Sequence, residues 1–167
     1  NDFDAAVKKL CNLLSDVDIE YCVEPKFDGG SIALVYENDV LVRAATRGNG
    51  TMGEEMTPNA RTLPSIPLKA DFASFGIVKA ELRGEALIRK DNFERINKER
   101  EKEGLTLFAN PRNAATGGLR TKDANETRKR GLEAFVYQLA YAVDNTGNSV
   151  LPTMKTHIQG IEMLGKL

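Results

Sequence analysis

The stretch from Ser31 to Arg47 constrains this chain most. It reads SIALVYE and then VLVRAATR, two apolar runs rich in β-branched residues, with END at Glu37 to Asp39 marking the break between them. So short a connection turns the chain back as an antiparallel hairpin, because a parallel neighbour needs a crossover of a dozen residues or more. YCVEPK from Tyr21, IVKAELRGEALI and EAFVYQLAYA carry the same texture, so a meandering sheet is expected. In the second hairpin run, Leu41, Arg43, Ala45 and Arg47 alternate with Val40, Val42, Ala44 and Thr46, which puts both arginines on one face. In the later run Glu81, Arg83 and Glu85 share a face, and Val78, Ala80 and Leu82 take the other. Such a face meets something polar.

Helical spacing punctuates these strands. Phe3, Val7, Leu10, Cys11 and Leu14, after Asp2 or Asp4 as N-cap, predict an amphipathic helix that packs on something and opens a leading segment, residues 1–20. A short helix is expected around Glu54 to Arg61, and a solvated one over DNFERINKEREKEG with Asp91 as N-cap and Gly104 as the stop. Arg128 to Arg130 read as a basic linker, and the last helix runs from about Pro152 to Leu164 with Met154, Ile158, Ile161 and Leu164 on one stripe. Hairpin-like connections outnumber crossover helices, so the fold class is α+β, with mainly antiparallel sheets and flanking helices.

Bulk properties exclude several classes. A chain of 167 residues with 41% hydrophobic side chains fits one domain, and at that length roughly 70% of the unfolded surface can be buried without staples. The net charge is −1, so any nucleic-acid contact must come from a local patch. Cys11 and Cys22 make neither a zinc site nor a disulfide framework, and imply a reducing, cytosolic compartment. No apolar run is long enough for a membrane, and NDFDAAVKK is no signal peptide. The missing initiator Met leads us to expect a piece of a longer protein.

Two stretches carry candidate chemistry. Gly48, Gly50 and Gly53 spell G-x-G-x-x-G, and Asp71 lies about where a ribose-binding acid would follow. A dinucleotide fold, however, places this loop after its first strand inside a crossover unit, whereas here it follows a hairpin and precedes prolines. In EPKFDGG, an extended chain points Glu24, Lys26 and Asp28 to one face, and Gly29 and Gly30 permit close approach to the backbone. This is either an exposed salt-bridge cluster or a nucleophilic lysine. The second needs a neutral amine, which positive charge from Arg47 and Arg83, or a divalent metal on substrate phosphates, would favour.

Taken in order and spacing, EPKFDGG, ATRGNGTMGEE, ELRGE and FANPRNAATGGLR resemble the nucleotidyltransferase (adenylation) domain of bacterial NAD-dependent DNA ligases, from about Tyr21 to Tyr141. K-x-D-G alone is shared with ATP-dependent ligases and mRNA capping enzymes; the glycine and FANPRNAA segments are far more specific. The resemblance implies the ligase/capping-enzyme nucleotidyltransferase core over residues 21–167, lacking its C-terminal part. It implies Lys26 as nucleophile toward the NAD α-phosphate, Asp28 orienting it, Glu24 on the adenine, Glu85 on the ribose hydroxyls, and Arg47 at the ribose and phosphate. Tyr137 would stack on the adenine, and Arg112 and Arg120 would approach phosphates of the nucleotide or of nicked DNA. AMP would then pass to a 5′-phosphate and a 3′-hydroxyl would seal the nick, in replication and repair in the bacterial cytoplasm.

The implied cofactors are NAD and Mg2+ or Mn2+, with Zn2+ only in a four-cysteine module outside this chain. The implied partner is nicked duplex DNA, with no membrane and a monomeric fragment. Asn49 stands where the family usually has Asp, and Gly30 where it usually has Leu. The family's N-terminal subdomain for the nicotinamide half and its later strand, barrel and DNA-binding regions are not in this sequence. The fragment is therefore expected to bind adenine nucleotides weakly and not to seal nicks alone. His157, the only histidine, receives no chemistry. Another covalent nucleotidyltransferase and a non-enzymatic nucleotide- or nucleic-acid-binding domain are the alternative classes.

Overall fold

The computed structural model describes residues 2–48 and 53–167. Its centre is a four-stranded antiparallel sheet in the order β2-β1-β3-β4, formed by β1 (Gly30–Glu37), β2 (Val40–Thr46), β3 (Lys79–Ile88) and β4 (Leu132–Val143). The expected α+β class is observed. Asn38 and Asp39 both have positive φ, 47° and 70°, the geometry of a two-residue turn that matches strand twist. Short polar side chains tolerate that region, so the sequence END makes the hairpin.

One face of the sheet is core. In β1 Ile32, Leu34 and Tyr36 are buried, and β3 adds Ala80, Leu82 and Ala86. Four helices bring residues to this cluster, α2 (Thr57–Ala60) through Ala60, α3 (Lys90–Lys102) through Ile96, α4 (Pro111–Leu119) through Leu119 and α6 (His157–Leu164) through Met163, while α5 (Ala124–Arg130) buries the polar Thr127. Three side-chain hydrogen bonds, from Asn59 and Thr127, lock the helices together. Asn59 Nδ2 donates to the carbonyls of Leu119 and Thr121, at 2.7 and 2.8 Å, and Thr127 Oγ1 donates to the Gly118 carbonyl at 2.8 Å.

The opposite face carries the charges. Cross-strand register lines them in rows: Arg43, Val35, Glu81 and Tyr141; then Ala45, Ala33, Arg83 and Gln138; then Ser31, Glu85 and Phe135. A bulge at Val42 breaks the strict alternation expected for β2, because Val35 pairs with Arg43 but Tyr36 pairs with Leu41. Leu41 therefore joins Ala44 and Thr46 in the core, while Arg43 and Ala45 stay on the polar face.

Other expectations are corrected by tertiary context. Residues 21–29, expected to include a strand, form none, and Val23 is 92% exposed. An extended segment becomes a strand only by pairing, and no described strand lies beside it. The opening helix α1 (Asp2–Leu10) is half as long as the leading segment and has no buried residue; Phe3 is largely exposed, its ring 5.7 Å from that of Tyr21. Asp91 lies inside α3, which Arg89 precedes, although Gly104 does end that region at φ 69°. The basic run 128–130 is the end of α5, capped by Asp123, not a linker. The last helix starts at His157, and it packs through Gly160 and Met163 while Ile158 stays exposed. The expected helix at 54–61 shrinks to Thr57–Ala60.

Candidate functional site

The polar sheet face opens into a cleft of about 550 Å³ whose floor is Ala33 and Ala45 and whose walls include Arg43, Arg47, Arg83 and Tyr137. Small floor residues between long cationic ones leave room for a flat, charged ligand. Beside it lies a cavity of about 230 Å³ between the start of β1 and α4, lined by Gly29, Arg47, Arg112, Thr116 and Arg120. Ser31 and Arg47 border both spaces. Three arginines converge on the smaller one, an arrangement suited to phosphate oxygens.

The helix that supplies two of them follows from its sequence. Asn110 accepts from the Asn113 N–H at 2.8 Å as N-cap, and Pro111 takes the first turn, where its missing N–H costs nothing. Spacing of four residues then puts Arg112, Thr116 and Arg120 along one side of α4. Arg112 Nη1 donates to Asp28 Oδ1 at 2.7 Å, and Arg120 Nε forms an ion pair with Glu54 Oε2 at 2.9 Å.

The segment bearing Lys26 has no secondary structure of its own, yet it is tethered at four points. Glu24 Oε2 lies 3.0 Å from His157 Nε2, the Phe27 ring stacks on Phe135 at 4.7 Å, Asp28 holds Arg112, and the Gly29 N–H donates to Glu85 Oε1 at 3.0 Å. Lys26 itself is exposed and makes no hydrogen bond or ion pair among the described residues. The salt-bridge cluster considered from the sequence does not form, since Glu24 and Asp28 each pair with a residue other than Lys26.

Glu85 is the structural centre of the site. Its second oxygen accepts from Ser31 Oγ at 2.8 Å, so one carboxylate ties β3 to the loop and to β1. Gly29 is required here, because a Cβ would overlap the Ala86 carbonyl. Gly53 is required likewise against the Thr46 carbonyl, while the middle of the glycine stretch, 49–52, including Asn49 and Gly50, lies outside the described residues. Tyr137 sits at a bulge, since Arg83 pairs with Gln138 and Gly84 with Val136. A second shift before Leu82 sends Leu139 to the core, so Tyr137 and Leu139 do not share a face. It lines the cleft instead of the core.

A model of the NAD-dependent DNA ligase adenylation domain matches residues 1–167. The chain belongs to that family. It is 55% identical over 163 residues to a DNA ligase of Sulfurihydrogenibium azorense, covering 98% of this chain and 23% of that protein. It is 52% identical to DNA ligases of Persephonella marina and Aquifex aeolicus, with 99% of this chain matched in each case and 23% and 22% of those proteins. This adenylation-domain chain thus spans about a quarter of the length of these curated relatives. Sequence reading missed Ser31, His157 and the Phe27–Phe135 stack. Ser31 was within reach, being on the charged face of β1; His157 had no signal, since its partner is 133 residues away.

Proposed function

We propose that this chain is the nucleotide-transfer part of an NAD-consuming DNA ligase, with Lys26 as its nucleophile. The observation that carries the reading is the tethered loop: the neighbours of Lys26 are pinned to β3, β4, α4 and α6, Lys26 itself makes no hydrogen bond or ion pair among the described residues, and Gly29 of the same loop lines the arginine-rich cavity. Transfer at phosphorus depends on alignment and on neutralising developing charge, and such a loop supplies the first as the arginines supply the second.

In this reading the Lys26 Nζ lone pair attacks the α-phosphorus of NAD, the P–O bond to nicotinamide mononucleotide breaks, and that group leaves with the electron pair. Tyr137 stacks on the adenine, Glu24 accepts from its amine, Glu85 accepts from the ribose hydroxyls, and Arg47 faces the ribose and phosphate. Asp28 orients the loop through Arg112. Arg112 and Arg120 serve the phosphates of nucleotide and nicked DNA, whose 5′-phosphate takes the AMP before the 3′-hydroxyl closes the strand. The setting is DNA replication and repair in the bacterial cytoplasm. Mg2+ or Mn2+ would come on the phosphates of NAD and help neutralise their charge; among the described residues no three His, Cys, Asp or Glu side chains are grouped to hold a metal ion. No helix among the described residues is long and apolar enough to cross a membrane.

The test is intact-mass spectrometry of the complete polypeptide after incubation with NAD or with ATP, beside Lys26→Ala. An AMP adduct from NAD that maps to Lys26 and vanishes in the variant is expected. An adduct from ATP alone assigns the protein to the ATP-dependent class, and none from either leaves Lys26 structural.

A further inference from the structure

Of the four tethers on the Lys26 loop, one comes from a residue with no assigned task. Glu24 lies in a stretch without helix or strand, and its Oε2 is 3.0 Å from His157 Nε2. An ionised carboxylate offers only acceptors, so Nε2 carries the proton and donates. His157 is the first residue of α6, which is fixed to the body by buried Gly160 and Met163. Its ring borders a cavity of about 240 Å³ with Leu139 and Met154, beside the β4 edge. The histidine is thus the anchored member of the pair and the glutamate the oriented one.

We propose that His157 is a positioning residue for base recognition: by holding Oε2 it turns Glu24 Oε1 toward the exocyclic amine of an adenine. This rests on the reading above, in which the base lies against Glu24. A carboxylate oxygen accepts from the 6-amino group of adenine and repels the 6-oxo group of hypoxanthine, so the fixed orientation becomes a discrimination between the two bases. Without His157 the Glu24 carboxylate loses its fixed orientation, although the rest of the loop stays pinned, and the discrimination weakens.

The test uses the complete polypeptide, following lysyl-AMP or lysyl-IMP formation from NAD and from its deaminated, hypoxanthine analogue. For His157→Ala the KM for NAD is expected to rise about fivefold, the size of a half-exposed charge-assisted hydrogen bond, with kcat nearly unchanged and the NAD preference reduced by a similar factor. His157→Gln, whose side-chain N–H reaches close to the place of Nε2, restores both. In a Glu24→Ala background His157→Ala adds no further loss, because its effect passes through Glu24. An unchanged preference in His157→Ala, a glutamine variant no better than alanine, or additive losses in the double variant overturns the proposal while leaving Lys26 chemistry intact. No adduct in the unsubstituted protein removes the functional reading and this inference with it.

Discussion

Asn59 offers the sharpest test of how this fold holds its site. Its side chain donates both amide hydrogens across 60 residues or more, one to the buried carbonyl of Leu119 at 2.7 Å and one to Thr121 at 2.8 Å. Those acceptors lie at the C-terminal end of the helix carrying Arg112 and Arg120, where intrahelical donors run out. Asn59→Ala strands both. The buried carbonyl costs about 1–3 kcal/mol when left unpaired, and the partly accessible one about 1 kcal/mol because water replaces the donor, giving a loss of about 2–4 kcal/mol. With a urea slope of about 2 kcal/mol/M for a chain of this size, the midpoint falls by about 1–2 M. Asn59→Asp separates hydrogen bonding from packing: it keeps the shape, donates nothing, and sets a carboxylate against two carbonyls, so its loss should be at least as large. Equilibrium urea unfolding of the 167-residue chain followed by circular dichroism reads both. An aspartate variant within about 0.5 kcal/mol of the parent would refute the claim that these donors hold the helix end.

Glu85→Gln replaces two charge-assisted hydrogen bonds to Gly29 and Ser31 by neutral ones, weakening the hold on the loop by about 2 kcal/mol in all, so rapid-quench adduct formation at Lys26 should slow by roughly tenfold or more; an unchanged rate would show that Glu85 does not organise the loop. Burial pushes the Tyr36 phenol up to about 12 from its ordinary value of 10, so the proton is held more tightly folded than unfolded. The resulting stability is fully present below pH 10 and is lost as pH rises toward about 12, a limb that Tyr36→Phe should lack in thermal melts against pH; parallel profiles for the two proteins would count against it.

Much of the fold was legible because its signals are local. Apolar, β-branched runs located β1, β2, β3 and β4, the polar break at Glu37 to Asp39 marked the hairpin, and the glycines and arginines of the motifs marked the candidate site. The faces of β3 were also correct, since Glu81, Arg83 and Glu85 lie opposite Ala80 and Leu82 along an unbroken pleat. Where a strand bulges the same reading slipped, as at Leu41, because a bulge is a property of the pairing and not of either strand alone. The helix at 124–130 was hidden by its charges, which mark a solvated surface as readily as a linker; buried Thr127 is what ties it down.

From its sequence alone this protein is an α+β chain with a charged sheet face and a lysine between two acids. Which groups those acids meet was decided only in three dimensions. Asp28 faces Arg112 because α4 packs at the start of β1, and Glu24 faces His157 because α6 packs along β4. Periodicity and turn chemistry act over a few residues, whereas a carboxylate's partner depends on which elements the core brings together. The same reason leaves the apolar stripe of α1 exposed: spacing specifies that a face can be buried, but only a packed neighbour buries it.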